Sequence, residues 1–212
     1  MFVVTADQVN SRNRPDAVAP TLSMLNDEFG SQLALPADRN AGDELQAVSG
    51  DAASALSIVL SLTRTDEWSV GLGCGPVRTP LPENARAASG PAFFAARDAV
   101  VRAKRAQTRV ALAAQSESGD DHSVSALAQE TEALLNLLLA LRSRRSDAGW
   151  ELYDLMVTGM PQNEAARRLG ISAPAANARA RVAGLKIEAA AIPALTRLLA
   201  DVDRATRRGE SA

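Results

Sequence analysis

The sequence predicts a chain in two parts, an α/β or α+β sheet domain over residues 1–114 and an all-helical domain over residues 126–212. Three observations lead there. Strand and helix signals alternate as far as residue 114, and only helical periodicity follows residue 126. Between them Gln115 to Ser125 (QSESGDDHSVS) is polar, contains Gly and has no period, which marks residues 115–125 as a linker. At 212 residues, 46% of them hydrophobic, the chain is long enough for either part to bury a core. Only 3% are aromatic, so those cores must be built mainly from Leu, Val, Ile and Ala.

The elements follow in order. Phe2-Val3-Val4-Thr5 is a β-rich run ending at Asp7, and Ala17 to Phe29 carries Leu22, Leu25 and Phe29 at helical spacing before Gly30. Arg39 to Gly50 contains a turn at Gly42-Asp43 and the strand-like Leu45, Ala47 and Val48. Asp51 is the expected N-cap of a helix reaching Thr63, with Ala55, Leu56, Val59, Leu60 and Leu62 on its apolar face. Trp68 to Val77 reads as a buried strand interrupted by Gly71, Gly73 and Gly75, whose spacing fits close sheet–helix packing better than a dinucleotide loop. Pro91 to Arg105 is a helix, Arg109 to Ala114 the last strand, and a further strand is expected after Val77. That order predicts a sheet with its helices on one face. Beyond the linker, helices are expected at Ala126–Leu141, Asp147–Thr158, on both sides of Gly170, and at Pro193–Arg207.

Several classes are set aside by composition. A single cysteine, Cys74, allows no intramolecular disulfide and no Cys-rich zinc site, and without a nearby His or basic group it reads as a small buried residue. The longest uncharged stretch, Ala52 to Thr63, is about half of a membrane span, and the N-terminus lacks a signal-peptide pattern. A soluble, cytoplasmic protein without a membrane partner is expected. Charge is split along the chain: residues 1–141 hold 11 basic and 17 acidic side chains, residues 142–212 hold 12 and 8. Such asymmetry is one mark of a half that meets nucleic acid. His122, alone in the linker, is expected to be solvated.

The segment Pro161 to Leu185 (PQNEAARRLGISAPAANARARVAGL) has the makings of a helix-turn-helix. Gln162 to Leu169 forms the first helix with Ala165, Ala166 and Leu169 inward, and Gly170 supplies the C′ residue. Ile171 plugs the corner, Ser172 caps the next helix and Pro174 lies in its first turn. The segment resembles the helix-turn-helix of sigma-factor region 4 and related bacterial regulators, through Glu164, Ala165-Ala166, Leu169-Gly170-Ile171-Ser172 and Arg179, with Trp150, Tyr153, Leu155 and Gly159 in the preceding helix. The resemblance implies double-stranded DNA as partner. The helix from Ala173 to Leu185 would enter the major groove, Asn177 able to pair with adenine and Arg179 and Arg181 able to reach guanine or phosphate. Arg167 and Arg168 are then placed for the backbone, and Ser172 lies at the helix start. Packing or dimerisation of the same tri-helical unit is the competing expectation, supported by the short Ala173, Ala175, Ala176 and Ala178.

Three segments of the first 112 residues act as a set: Val3 to Arg12 with Asp7-Gln8-Val9-Asn10-Ser11-Arg12, Ala41-Gly42-Asp43-Glu44-Leu45-Gln46, and Trp68 to Val77 followed by Gly90-Pro91-Ala92 running on to Ala96-Arg97. Together they resemble the SatD family of bacterial proteins, many of which carry a C-terminal helix-turn-helix. The layout also looks like a reduced class III nucleotide cyclase domain, which implies an α+β, ferredoxin-like sheet. In that likeness Asp7 and Asp43 stand where two carboxylates hold divalent cations against a triphosphate, Mg²⁺ being the implied ion. Backbone amides around Asn10, Ser11 and Arg12 would cradle phosphates, and Arg97 is the polar candidate left on the third-motif helix. Phe94 or Ala95 stands where a cyclase has its transition-state Asn, so the likeness implies nucleotide binding and not catalysis. Two facing carboxylates need a cation or a basic partner, and Arg12 is the alternative to a metal. The expected whole is a DNA-binding transcriptional regulator whose N-terminal domain senses a nucleotide. The apolar helices at Leu134–Leu141 and Leu195–Val202 point to a homodimer. A metal-dependent nucleotide-converting enzyme with a helical dimerisation tail is the rival.

Overall fold

The computed structural model describes residues 1–117 and 122–207, which form a five-stranded mixed sheet and eight α-helices, an α+β protein. The chain gathers into two compact units, one of Met1–Asn136 with the chain from Leu195 on, the other Leu137–Ala194. The boundaries therefore fall within two helices and not in the expected linker. Residues 118–121 of that linker lie outside the described residues, and an α-helix already begins at the exposed His122.

In the sheet unit β1 (Phe2–Gln8) is the central strand. It pairs antiparallel with β3 (Glu44–Ser49) on one side and β4 (Trp68–Cys74) on the other. β2 (Leu33–Ala41) edges β3 antiparallel, and β5 (Val110–Ala114) edges β4 parallel, giving the order β2-β3-β1-β4-β5. The register sets Val3 between Val48 and Gly73, and Asp7 between Glu44 and Ser69. The additional strand is β2, ahead of the Gly42-Asp43 turn, and not a strand after Val77, where the described residues form only a short 3₁₀ turn at Ala85–Ala87. Pro36 and three register shifts against β3 broke the pattern in the sequence, and both are tolerated because β2 is an edge.

The expectation of helices on one face is corrected by burial: every residue of β4 is buried. Side chains alternate along a strand, so both faces are covered. On the face of Val3, Gly71 and Gly73 lies α3 (Pro91–Ala103), packed so closely that a Cβ on Gly73 would stand 2.2 Å from the Ala92 carbonyl oxygen. Val3, Leu35, Val48, Ala92, Phe93 and Ala96 fill that layer. On the opposite face Cys74 lies against Asp203 of the last helix, and burial there pushes its thiol pKa far up. α1 (Val18–Phe29) seats Leu25 and Phe29, and α2 (Ala52–Leu62) starts at Asp51, whose carboxylate accepts the Ser54 amide at 2.8 Å.

α4 (His122–Arg142) alone among the described helices is long and apolar enough by composition to cross a bilayer. Val124, Ala128, Thr131 and Leu135 are nonetheless buried in protein, and Glu132 binds the Leu112 amide and the Arg102 guanidinium, which makes α4 as far as Asn136 a core helix of the sheet unit.

The helical unit is built from the end of α4, α5 (Asp147–Val157), α6 (Gln162–Arg168), α7 (Ala173–Val182) and the start of α8 (Leu185–Arg207). Leu152, Ala165, Ala180, Ala183 and Leu185 form its core. α7 ends at Val182 and α8 begins at Leu185, so the last helix starts before Pro193 and carries that proline inside it. Beside the apolar core sits a buried ion cluster. Glu188 accepts Arg142 on one carboxylate oxygen and Arg145 on the other, and both guanidiniums lie 4.3–5.6 Å from the ring centroids of Trp150 and Tyr153.

Candidate functional site

Two places collect the polar residues singled out in the sequence, one in each unit. In the sheet unit β1 delivers Asp7 and the β2–β3 turn delivers Asp43, with the Gln8 amide bonded to the Asp43 carbonyl at 3.0 Å. Gln8 is buried and ties down the chain after β1, donating to the Pro15 carbonyl at 2.7 Å and accepting the Ala17 amide at 3.1 Å. Within that segment Asn10 adopts left-handed backbone and opens a 3₁₀ turn over Ser11–Asn13. The Ser11 hydroxyl donates to Asp43 Oδ2 at 2.5 Å, and Lys104, one residue beyond α3, donates from Nζ to Asp7 Oδ2 at 2.7 Å. The Asp43 carboxyl is held below its ordinary pKa, first by the Ser11 hydrogen bond and then, against partial desolvation, by the charges of Lys104 and Arg12.

Asp7, Asn10, Ser11, Arg12 and Asp43 therefore share one neighbourhood, but the basic partner of Asp7 is Lys104 and not Arg12. The arrangement does not fit Mg²⁺: an ammonium already occupies Asp7 and would repel a dication beside Asp43. The amides of Asn13 and Arg14 turn back onto the Asn10 and Ser11 carbonyls, which removes them from any phosphate cradle. Arg97 is exposed on α3, seven residues before Lys104 and so about 10 Å away along the helix axis, and it is not brought to this site. Lys104 escaped sequence reading because its place depends on topology. The parallel β4–α3–β5 crossover returns the end of α3 to the start of β4, where antiparallel β1 ends just past Asp7.

In the helical unit α6 stops in a two-bond corner. The Ile171 amide reaches the Ala166 carbonyl at 3.0 Å and the Gly170 amide the Arg167 carbonyl at 3.1 Å, with Gly170 at φ +64°. The Ser172 hydroxyl accepts the Ala175 amide at 3.3 Å, so this serine is the cap of α7. Ala165, Ala166, Ala176 and Ala180 turn inward, while Arg167, Arg168, Asn177, Ala178 and Arg181 are exposed. Arg179 departs from expectation. Its guanidinium faces α5, 3.4 Å from the Ala148 carbonyl and 3.6 Å from Glu151. At 100° per residue, position 179 lies between the exposed face of Ala178 and the buried face of Ala176 and Ala183, which turns it toward α5.

No family model matches the chain, and neither a curated protein nor a solved structure is significantly similar to it.

Proposed function

We propose that the protein is a DNA-binding transcriptional regulator, with Asn177 and Arg181 facing base edges and Arg167 and Arg168 facing the phosphate backbone. The carrying observation is the α6–α7 corner: two short helices joined at Gly170, alanine on their inner faces, and exposed on α7 the small or polar Ala173, Ala175, Asn177, Ala178 and Arg181, with Val182 at its end. Small side chains let the groove approach closely, and Asn and Arg are the types able to pair with base edges. The sheet unit is proposed to sense a nucleotide, with Lys104 and Arg12 as phosphate partners and Ser11 and Asp43 as hydrogen-bonding groups. Its order β4-β1-β3-β2, antiparallel throughout, supports a ferredoxin-like, cyclase-related ancestry and kinship with the SatD family, with β5 added parallel at the edge. Exposed Leu134 and Leu137 on α4 support a homodimer, in keeping with the paired half-sites that helix-turn-helix proteins read. A cytoplasmic location belongs to the same proposal.

The test is fluorescence anisotropy of labelled duplexes, random and from genomic upstream regions, across a salt series. Affinity that falls steeply with salt, together with preference for one fragment that Arg181→Ala abolishes, is the expected result. Absence of binding at low salt refutes the proposal.

A further inference from the structure

Beside the outward face of α7, a pocket of about 260 Å³ opens in the helical unit, walled by Arg144, Arg145, Ser146, Ala178, Arg179 and Val182. Its volume matches on the order of eight waters at ~30 Å³ each, which suits a hydrated anion. The charges converge there. Arg145 has no exposed side-chain surface, shares Glu188 with Arg142, donates Nε to the Ala183 carbonyl at 3.1 Å, and leaves Nη1 without a hydrogen-bond partner. Arg179 is matched only by the exposed Glu151 at 3.6 Å, and the exposed Arg144 has no carboxylate partner among the described residues. Arg144 and Arg179 thus bring two guanidiniums to the pocket wall against one exposed carboxylate, Glu151. Arg145 offers the pocket no side-chain surface, so the guanidiniums an anion there can meet are those of Arg144 and Arg179.

From this we infer that the pocket is a seat for a backbone phosphodiester of the same duplex that α7 reads. Ala178 follows Asn177 directly and lies within one turn of Arg181, so the pocket borders the face presented to the groove. A helix in the major groove has a phosphate strand along its flanks, and arginines that grip it fix the register without reading sequence. The inference rests on the DNA-binding proposal and adds Arg144 and Arg179 as its phosphate contacts, with the buried Arg145 behind them.

The experiment compares the full chain with Arg144→Gln, Arg144→Lys and Arg181→Ala by anisotropy on a labelled random-sequence duplex and on the preferred fragment, from about 50 to 200 mM salt. Arg144 is exposed and has no carboxylate partner among the described residues, and an unchanged circular dichroism melt verifies that Arg144→Gln folds. The expected result is that Arg144→Gln flattens the log–log salt slope by about 1, close to 3.5-fold over that range, equally on both duplexes. Arg144→Lys restores the slope, whereas Arg181→Ala loses preference for the fragment. An unchanged slope in Arg144→Gln, with parent binding intact, overturns the phosphate seat and leaves the DNA-binding proposal standing. Loss confined to the preferred fragment also overturns it, since a phosphate contact is blind to sequence. Inorganic phosphate that binds the parent by ³¹P NMR while the slope stays unchanged assigns the pocket to a free anion, again against the inference. A parent protein that binds neither duplex overturns both.

Discussion

Replacing Glu188 by alanine is the sharpest test of what holds the helical unit together. Its side chain is 2% exposed and is the shared acceptor of Arg142 and Arg145, which are 5% and 0% exposed. Two charge-assisted hydrogen bonds disappear, each worth about 1.5–3 kcal/mol. Two guanidiniums are left facing the rings of Trp150 and Tyr153 without their carboxylate. Ring faces attract a cation, but by only about 2 kcal/mol even when dry, so they cannot replace it. Breaking a buried ion cluster from one side costs about 3–5 kcal/mol, a large part of the 5–15 kcal/mol typical of a whole domain. Two units need not unfold together, so the measurement requires a local reporter. Of the two tryptophans, Trp68 lies in β4 and Trp150 in α5. In a Trp68→Phe background, urea unfolding read by Trp150 fluorescence follows the helical unit alone. Glu188→Ala is expected to lower its stability by about 3–5 kcal/mol, and an apolar triple replacement (Arg142→Met, Arg145→Met, Glu188→Leu) to recover most of the loss. A Glu188→Ala midpoint equivalent to under about 1 kcal/mol refutes the assignment of the cluster as the unit's clamp.

Two further outcomes follow from the sheet unit. Gly73→Ala places a Cβ 2.2 Å from the Ala92 carbonyl oxygen and 2.3 Å from the Ala96 amide, so α3 must withdraw by about 1 Å. A loss of about 1–3 kcal/mol is expected in urea unfolding read by Trp68 in a Trp150→Phe background. Ser11→Ala removes the main cause of the low Asp43 pKa, and carboxyl ¹³C titration should show it rising toward its ordinary value of 3.8. Because the folded carboxyl is depressed, its contribution is present above pH 3.8 and is lost as pH falls through the folded value. Ser11→Ala should shrink that acid-side loss, and an unshifted Asp43 titration would contradict it.

Local signals carried much of the fold into the sequence. Asp51, Ser172 and Gly170 are cap residues whose effect spans one turn of chain, and each stands where the spacing puts it. The glycines of β4 were legible as close-packing positions for the same reason: removing a side chain on alternate residues serves one face. What escaped depended on neighbours distant in sequence. β2 was hidden by Pro36, which only an edge can accept, and the start of α8 by Pro193, which reads as a first-turn residue but lies inside the helix. The unit boundary was obscured because residues from Leu195 on, helical like those before them, pack with the sheet, as Asp203 against Cys74 shows. In the candidate site the carboxylates were visible as strand-end residues, but their basic partner lay across a strand pairing that no local pattern encodes.

Lys104 also decides what the Asp7–Asp43 neighbourhood can bind, and its replacement separates an anion from a cation. If a nucleoside triphosphate seats its phosphates on Lys104 and Arg12, ligand at a hundred times Kd stabilises the parent by about 2.7 kcal/mol. Lys104→Gln removes one charged hydrogen bond of about 1.5–3 kcal/mol. At the same ATP or GTP concentration the stabilisation then falls to between roughly 0.3 and 1.3 kcal/mol. The lysine also neutralises Asp7 at 2.7 Å, so Asp7→Asn frees the ammonium and should tighten the nucleotide. A divalent cation reverses every sign. Lys104→Gln vacates the carboxylates and would let Mg²⁺ alone raise the melting temperature, whereas Asp7→Asn would abolish that shift. Differential scanning fluorimetry of the parent and the two variants, with ATP, GTP and MgCl₂ added separately, reads both patterns. Equal nucleotide shifts in the parent and Lys104→Gln refute the lysine as a phosphate partner. A Mg²⁺ shift that appears only in Lys104→Gln would mean that the lysine holds the place of a metal.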